Sequence, residues 1–409
     1  MRTPLLVLLA CATAACGADT PARSTRTAAV DTVNGVERLS YPADPATPLA
    51  WRFDTLAVIG GTMVADENYQ FEGVSRDRLA GNAQGHLLVL DGQGKRILRY
   101  DSTGMFVRSY GREGGGPGEL RLPISIALGP GDSLWVPDMM NRRITIFDAA
   151  GGGSRSISGA DEHGLSVSNV RLGGGSYYRT GEMFMAGANA DGQEVPPVPL
   201  VRYTPDGIPL DTVWRHQPPP ITEVWFELAG RRVTVEMGPA FAPAFRWAPL
   251  SDGRVVVSDS ANYVLHIIRP DGTIERTIRR DPPARATTDA DREAARERER
   301  NLPAPRLPGM PADAQVFRSM RAENMTFAAT IPRVTALLID PKDRIWVGVS
   351  VDEPEKTERI DIYDAAGRLL GEIRDPAFFP DLLYGPDLAA LLTKDEFDVQ
   401  QVVVMRVVE

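Results

Sequence analysis

Residues 110–151 read YGREGGGPGELRLPISIALGPGDSLWVPDMMNRRITIFDAAG, and the fold turns on them. A glycine-rich junction gives way at Pro123 to a β-rich run, Gly131 marks a turn, and a second run, SLWVPD, ends on Asp138. Past that acid an aliphatic side chain (Ile144) and an aromatic one (Phe147) precede the glycine of the next turn, Gly151. Strand, turn, strand, turn is the local reading, because β-branched and aromatic runs bounded by glycine favour hairpins.

Working outward, the same stagger recurs. After HLLVLD, Asp91 is followed at the same offsets by Ile97, Tyr100 and Gly104; after RVVVSD, Asp259 is followed by Leu265, Ile268 and Gly272. Two further copies keep only the second half, as Leu200, Tyr203 and Gly207 and as Ile360, Tyr363 and Gly367. Five units in tandem with widening spacing are the signature of a radial array, in which a single sheet cannot bury both of its faces alone. The ends, WRFDTLAVIGG (Trp51–Gly61) and FDVQQVVVMRVVE (Phe397–Glu409), are strand-like and lack complete units, so pairing them would close a sixth and remove the open edges. The expected fold is all-β: a six-bladed β-propeller of four-stranded antiparallel blades, closed by its N- and C-terminal segments, with a short helical insertion between blades.

The junction resembles an NHL-repeat blade. The residues that carry the resemblance are Gly116–Glu119, Pro123, Val136, Asp138, Asn141, Arg143, Ile144, Phe147 and Asp148, with a partial match around Asp259 and Asn262. The chain is similar to bacterial six-bladed propeller lipoproteins, most of which have no assigned activity. The resemblance also implies a rival, since some NHL-like propellers are lyases or lactonases that hold a metal at the channel.

Arg2 precedes an apolar run, Pro4–Ala15, too short to span a bilayer and suited to export. LLAC and TAAC, ending at Cys11 and Cys16, both resemble a lipoprotein acylation box, and Cys16 leaves the more usual apolar length. A plain secretory signal is the alternative. The expected organisation is a signal peptide over 1–15, a flexible tether over 16–50, and the ring over 51–409 with insertions at 216–243 and 280–331. This predicts a monomer in the cell envelope, facing periplasm or exterior, touching the membrane only through its lipid. With just two cysteines, both in the leader region, a disulfide contributes nothing to the ring.

A net charge of −9 without a basic stripe argues against nucleic acid. No pair among His86, His163, His216 and His266 has zinc-motif spacing. No cofactor is expected, although a calcium or zinc ion held in the channel would draw ligands from several blades and leave no local motif. GREGGGPGEL lacks the Lys-Ser/Thr ending of a phosphate loop, and a strand follows where a helix would begin. The 287–301 stretch alternates acids with arginines after a Thr288/Asp291 capping box and predicts a solvated helix; residues 313–325 predict a second, packed through Val316, Phe317 and Met320.

In the NHL arrangement the strand after each junction is innermost and starts at the channel mouth. Arg76, Arg121, Arg171, Arg246 and Arg333 stand near those starts, with Asp138, Met139 and Asn141 in the adjoining turn. Guanidinium forks suit carboxylate, sulfate or phosphate groups. The function expected is that of a non-catalytic binding or scaffold platform for a protein, peptide or glycan at the mouth, with a metal-dependent lyase or hydrolase as the alternative.

Overall fold

The computed structural model describes residues 28–42, 46–62, 64–159, 169–180, 196–228, 231–259, 261–280, 284–302, 314–351, 353–354 and 356–409. Cys11, Cys16 and His163 lie outside the described residues.

Six four-stranded antiparallel sheets surround one axis. In chain order from inside to outside, blade 1 comprises Leu79–Gly81, Leu87–Asp91, Arg96–Tyr100 and Phe106–Tyr110. Blade 2 comprises Ala127–Leu128, Leu134–Asp138, Arg143–Phe147 and Ser154–Ser158. Blade 3 is built from Val170–Gly173, Ser176–Thr180, Val198–Tyr203 and Pro209–His216. Blade 4 takes Arg246–Pro249, Val255–Ser258, Val264–Ile268 and Ile274–Arg280. Blade 5 takes Val334–Ile339, Ile345–Val349, Arg359–Tyr363 and Leu369–Arg374. Blade 6 takes Leu382–Tyr384, Leu388–Lys394 and Gln400–Val408, and its outermost strand is the N-terminal Arg52–Gly60. Arg52–Gly60 runs antiparallel to Gln400–Val408, so the two ends close the ring as the sequence predicts. Each innermost strand abuts those of both neighbouring blades around a complete circle.

Among the described residues, the core of the ring consists of six clusters, one in each gap between blades. Leu87 and Val89 pack with Ile59 and Val402 of blade 6, while Leu88 and Leu90 of the same strand pack with Leu134 and Val136 of blade 2. Successive side chains point to opposite faces, and both faces are covered, so the strand must be apolar at every position rather than at alternate ones. LLVL, LWV, VVV and IWV all satisfy this. Trp135 and Trp346 play the same part in the gaps facing blades 3 and 6. Six glycines in the hairpin turns, Gly85, Gly104, Gly131, Gly151, Gly253 and Gly272, all have φ between 65° and 91°, which is the physical reason for glycine there.

The tether expectation over 16–50 needs correction. Ala29–Val33 and Val36–Tyr41 form a hairpin whose second strand pairs in parallel with Ile274–Arg280, extending blade 4 to six strands. Leu39 and Tyr41 are buried against the blade 4–5 cluster. Pro48 and Leu49 then bridge Glu372 on the edge of blade 5 before the chain enters blade 6. The N-terminal segment is therefore a strap over the rims of three successive blades.

Within the insertions, Thr222–Leu228 and Arg231–Met237 pair as a ribbon. Asp289–Asn301 is a helix with the Thr288–Asp291 capping box in place, and Ala314–Glu323 is the second helix. The first helix is not wholly solvated: Ala295 is buried with Phe241 and Ile331, and Glu299 pairs with Arg318 and Arg321 of the second, each at 2.8 Å. On that second helix Phe317 is buried, whereas Val316 is half exposed and does not join it in the packed face.

Candidate functional site

Inner strands start at one face of the ring, and antiparallel pairing brings the ends of the second strands back to it. The turns after Asp91, Asp138 and Asp259 and the blade junctions therefore form this mouth face, while the glycine turns form the opposite face. A cavity of about 290 Å³ lies on the axis and is lined by the inner strands of all six blades.

Two of the arginines read from the sequence, Arg76 and Arg171, line this cavity with Asp77, Asn169 and Asp381, and Arg246 stands beside them, outside the lining but near enough to feel their charges. Arg76 is paired with Asp381 at 3.2 Å, and Arg171 with Asp77 at 3.5 Å. Asn169 donates to Asp77 at 3.1 Å. Arg171 also lies over the Trp247 ring, 4.9 Å from its centroid, and donates to the Trp247 carbonyl. The Arg246 guanidinium has neither a hydrogen bond nor an ion pair among the described residues, and its Nε is buried. Burial lowers the pKa of the Arg246 guanidinium, and the positive charges of Arg76 and Arg171 lower it further, with Asp77 opposing. Burial likewise lowers that of Arg171, against Asp77. Three guanidinia against two carboxylates leave the mouth with one uncompensated positive charge in a chain that is acidic as a whole. The Ser125 hydroxyl in the wall is also buried without a hydrogen-bond partner.

The other expected contacts do not join this group. Asp138, fully buried, accepts from the backbone N–H groups of Arg121 (2.8 Å), Leu122 (3.0 Å) and Asn141 (3.1 Å) and from Asn141 Nδ2 (2.8 Å). Asn141 Nδ2 also reaches the Gly114 and Glu119 carbonyls, and the Arg143 guanidinium reaches those of Gly115 and Glu119. The Asp-Asn-Arg signature thus clamps the glycine-rich junction, and its polar groups are consumed in doing so. The Arg121 side chain is exposed beside Gly115, outside the cavity lining. Met139 is half buried in the turn, donating through its N–H to the Leu122 carbonyl, and Met140 stands exposed on the mouth face. Arg333 is buried, with Nη1 donating to the Ser350 and Val351 carbonyls, and it pins a turn of blade 5.

The described histidines lie away from the axis. His86 is bonded by Arg99, at 2.9 Å from its Nε; His266 Nδ1 is 3.0 Å from Thr277 Oγ1; His216 stacks on Phe245 with centroids 4.2 Å apart, and burial lowers its pKa to about 4. Among the described residues no three His, Cys, Asp or Glu side chains converge as a metal-binding set. A larger cleft of about 570 Å³ between the ribbon and the helical insertion is lined by Pro218–Pro220, Pro239, Pro243 and Phe327, with no titratable side chain in its lining. No described helix is long and apolar enough to cross a membrane.

A closed ring of six four-stranded blades around an axial cavity defines a six-bladed β-propeller. No family model matches the chain. It is 31% identical over 67 residues to the human NHL repeat-containing protein 3, which is 16% of this chain and spans only 19% of that protein's length. Among solved structures it is similar to a DUF4221-family member from Bacteroides vulgatus, at 10% identity and a TM-score of 0.50 over 88% of this chain and 98% of that one. It is also similar to a Bacteroides fragilis protein described only as a candidate exported protein (10% identity, TM-score 0.46, 91% and 100% covered). Staphylococcus aureus virginiamycin B lyase is a more distant likeness (12%, 0.37, 81% and 80%). At these identities the likenesses to solved structures show the fold alone. The Asp138–Asn141–Arg143 clamp lies in the blade whose sequence resembles an NHL repeat.

Proposed function

We propose that this chain is an exported, lipid-anchored monomer whose propeller is a non-catalytic platform that binds a protein, peptide or glycan at the axial mouth. The observation that carries the reading is the axial cavity, lined by Arg76 and Arg171 from two blades, with the unpaired Arg246 guanidinium of a third beside it. Preorganised guanidinia at the edge of a concave site give affinity and orientation to an acidic partner.

Acylation of Cys16 would fix which way the platform faces. The rim strap takes up residues 29–41 and starts at the mouth face, on the outer edge of blade 4. About a dozen residues then remain between Cys16 and the ring, a leash of at most roughly 40 Å when extended. The mouth is held near the bilayer surface rather than projected far from it.

Photo-crosslinking side chains placed at Met140 and Phe397, exposed on the mouth face, and at Met105 and Ile208, exposed on the opposite face, test the platform in intact cells. Adducts from the first pair alone are expected; equal adducts from both faces, or none, refute the reading. Incorporation of a clickable fatty acid that Cys16→Ala abolishes and Cys11→Ala leaves intact would establish the anchor.

A further inference from the structure

Below the charged rim the wall of the channel changes character. Leu79, Leu128, Leu172, Pro249, Leu338 and Leu382, one apolar residue from each blade, line the same cavity at the inner edge of the inter-blade clusters. The site is therefore amphiphilic along its axis: guanidinia at the rim, aliphatic side chains in the throat, and a volume of about 290 Å³, at the small end for ligand pockets. Of the three guanidinia, Asp381 and Asp77 balance those of Arg76 and Arg171, and Arg246 is left without a counter-charge. Ser125 Oγ adds a second buried polar atom without a partner to the same wall. Burying such groups unpaired is costly, and a ligand that pairs them recovers that cost on binding.

Resting on the reading that the mouth is the binding surface, we infer that the cavity beneath it also takes a small amphiphilic acid, with its carboxylate against Arg246 and its apolar body in the throat. A large glycan lacks the apolar body that the aliphatic wall matches. A bare inorganic anion would satisfy Arg246 but leave that wall without contact. The two features together specify one group of each kind, joined in one compact molecule. The nearby Trp247 ring provides an intrinsic optical probe, since Arg171 lies over it at the rim.

Octanoate, octanol and acetate are the probes, titrated into the purified full-length chain by calorimetry and followed by tryptophan fluorescence. Octanoate is expected to saturate at one per chain, with octanol and acetate each at least about tenfold weaker, because each lacks one of the two recognised groups. Arg246→Gln should weaken octanoate about tenfold while leaving octanol unchanged, and Arg246→Lys, which keeps the charge, should retain most of the affinity. Should Arg246→Gln not fold, the lysine variant and the three-ligand comparison decide the matter. Equal binding of octanol and octanoate, or octanoate affinity indifferent to Arg246, overturns the inference. Failure of octanoate to bind while mouth-face adducts persist refutes the amphiphilic acid alone; loss of the adducts refutes the platform.

Discussion

Asp138 shows how a residue that looks available for recognition is committed elsewhere. Its carboxylate is fully buried and takes four hydrogen bonds, two from the Arg121 and Leu122 N–H groups of the junction it closes and two from the N–H and Nδ2 of Asn141 in the adjoining turn. Asp91 repeats the arrangement in blade 1, accepting from the Glu72 and Gly94 N–H groups and from Arg96. Asp138→Ala would strand these donors inside the protein, where each unsatisfied group is destabilising. We expect it to lower stability by about 3 kcal/mol or more in urea unfolding, with Met140→Ala, exposed in the same turn, close to neutral. Arg246, also near the start of an inner strand, is the opposite case: its buried Nε has no hydrogen-bond partner, whereas Arg333 donates to the Ser350 and Val351 carbonyls.

At the scale of elements, the N-terminal strap carries the clearest lesson. Its sequence signal is Asn34-Gly35, a dipeptide suited to a two-residue hairpin turn, and both residues adopt positive φ, 52° and 80°. The flanking strands are short, the first exposed throughout and the second buried only at Leu39 and Tyr41, so composition alone reads as linker; only the unfilled edge of blade 4 makes them a sheet. The strap also meets the buried ion cluster between blades 4 and 5. Arg280 pairs with Asp361 at 2.5 Å and Glu372 at 2.6 Å, while Tyr263 donates to Asp361 at 2.8 Å. Glu372 additionally accepts from the Ala46 N–H of the strap at 3.1 Å. Burial opposes ionisation of Glu372, yet Arg280 and Arg374 together with that N–H hold its pKa below the usual carboxylate value. Removing one partner leaves the others charged in a dry interface, so Arg280→Ala is expected to cost about 3–5 kcal/mol, read as a fall in the denaturation midpoint.

At the scale of the whole molecule, stability depends on closure. Each of the six apolar clusters needs two blades, and blade 6 exists only because Arg52–Gly60 completes it. Deleting the chain through Gly60 would leave the nine-residue strand Gln400–Val408 with a bare edge and uncover the Trp346 and Val402 clusters. The truncated protein should lose cooperative unfolding and associate through that edge, whereas deletion through residue 27 should keep a single transition. Size-exclusion chromatography and calorimetry check this; a monomeric truncation with an unchanged melt would contradict it.

The sequence by itself determined the blade count, the hairpin glycines and the closure by the two ends, because each depends on residues close along the chain or repeated at fixed offsets. It also placed arginines at the starts of inner strands. Which of them share the axial mouth was decided by the tertiary structure alone: Arg76, Arg171 and Arg246 converge with Asp77 and Asp381 across four blades, and no local pattern records that proximity. The same holds for the strap, whose strands form only when an edge elsewhere in the chain offers them hydrogen bonds.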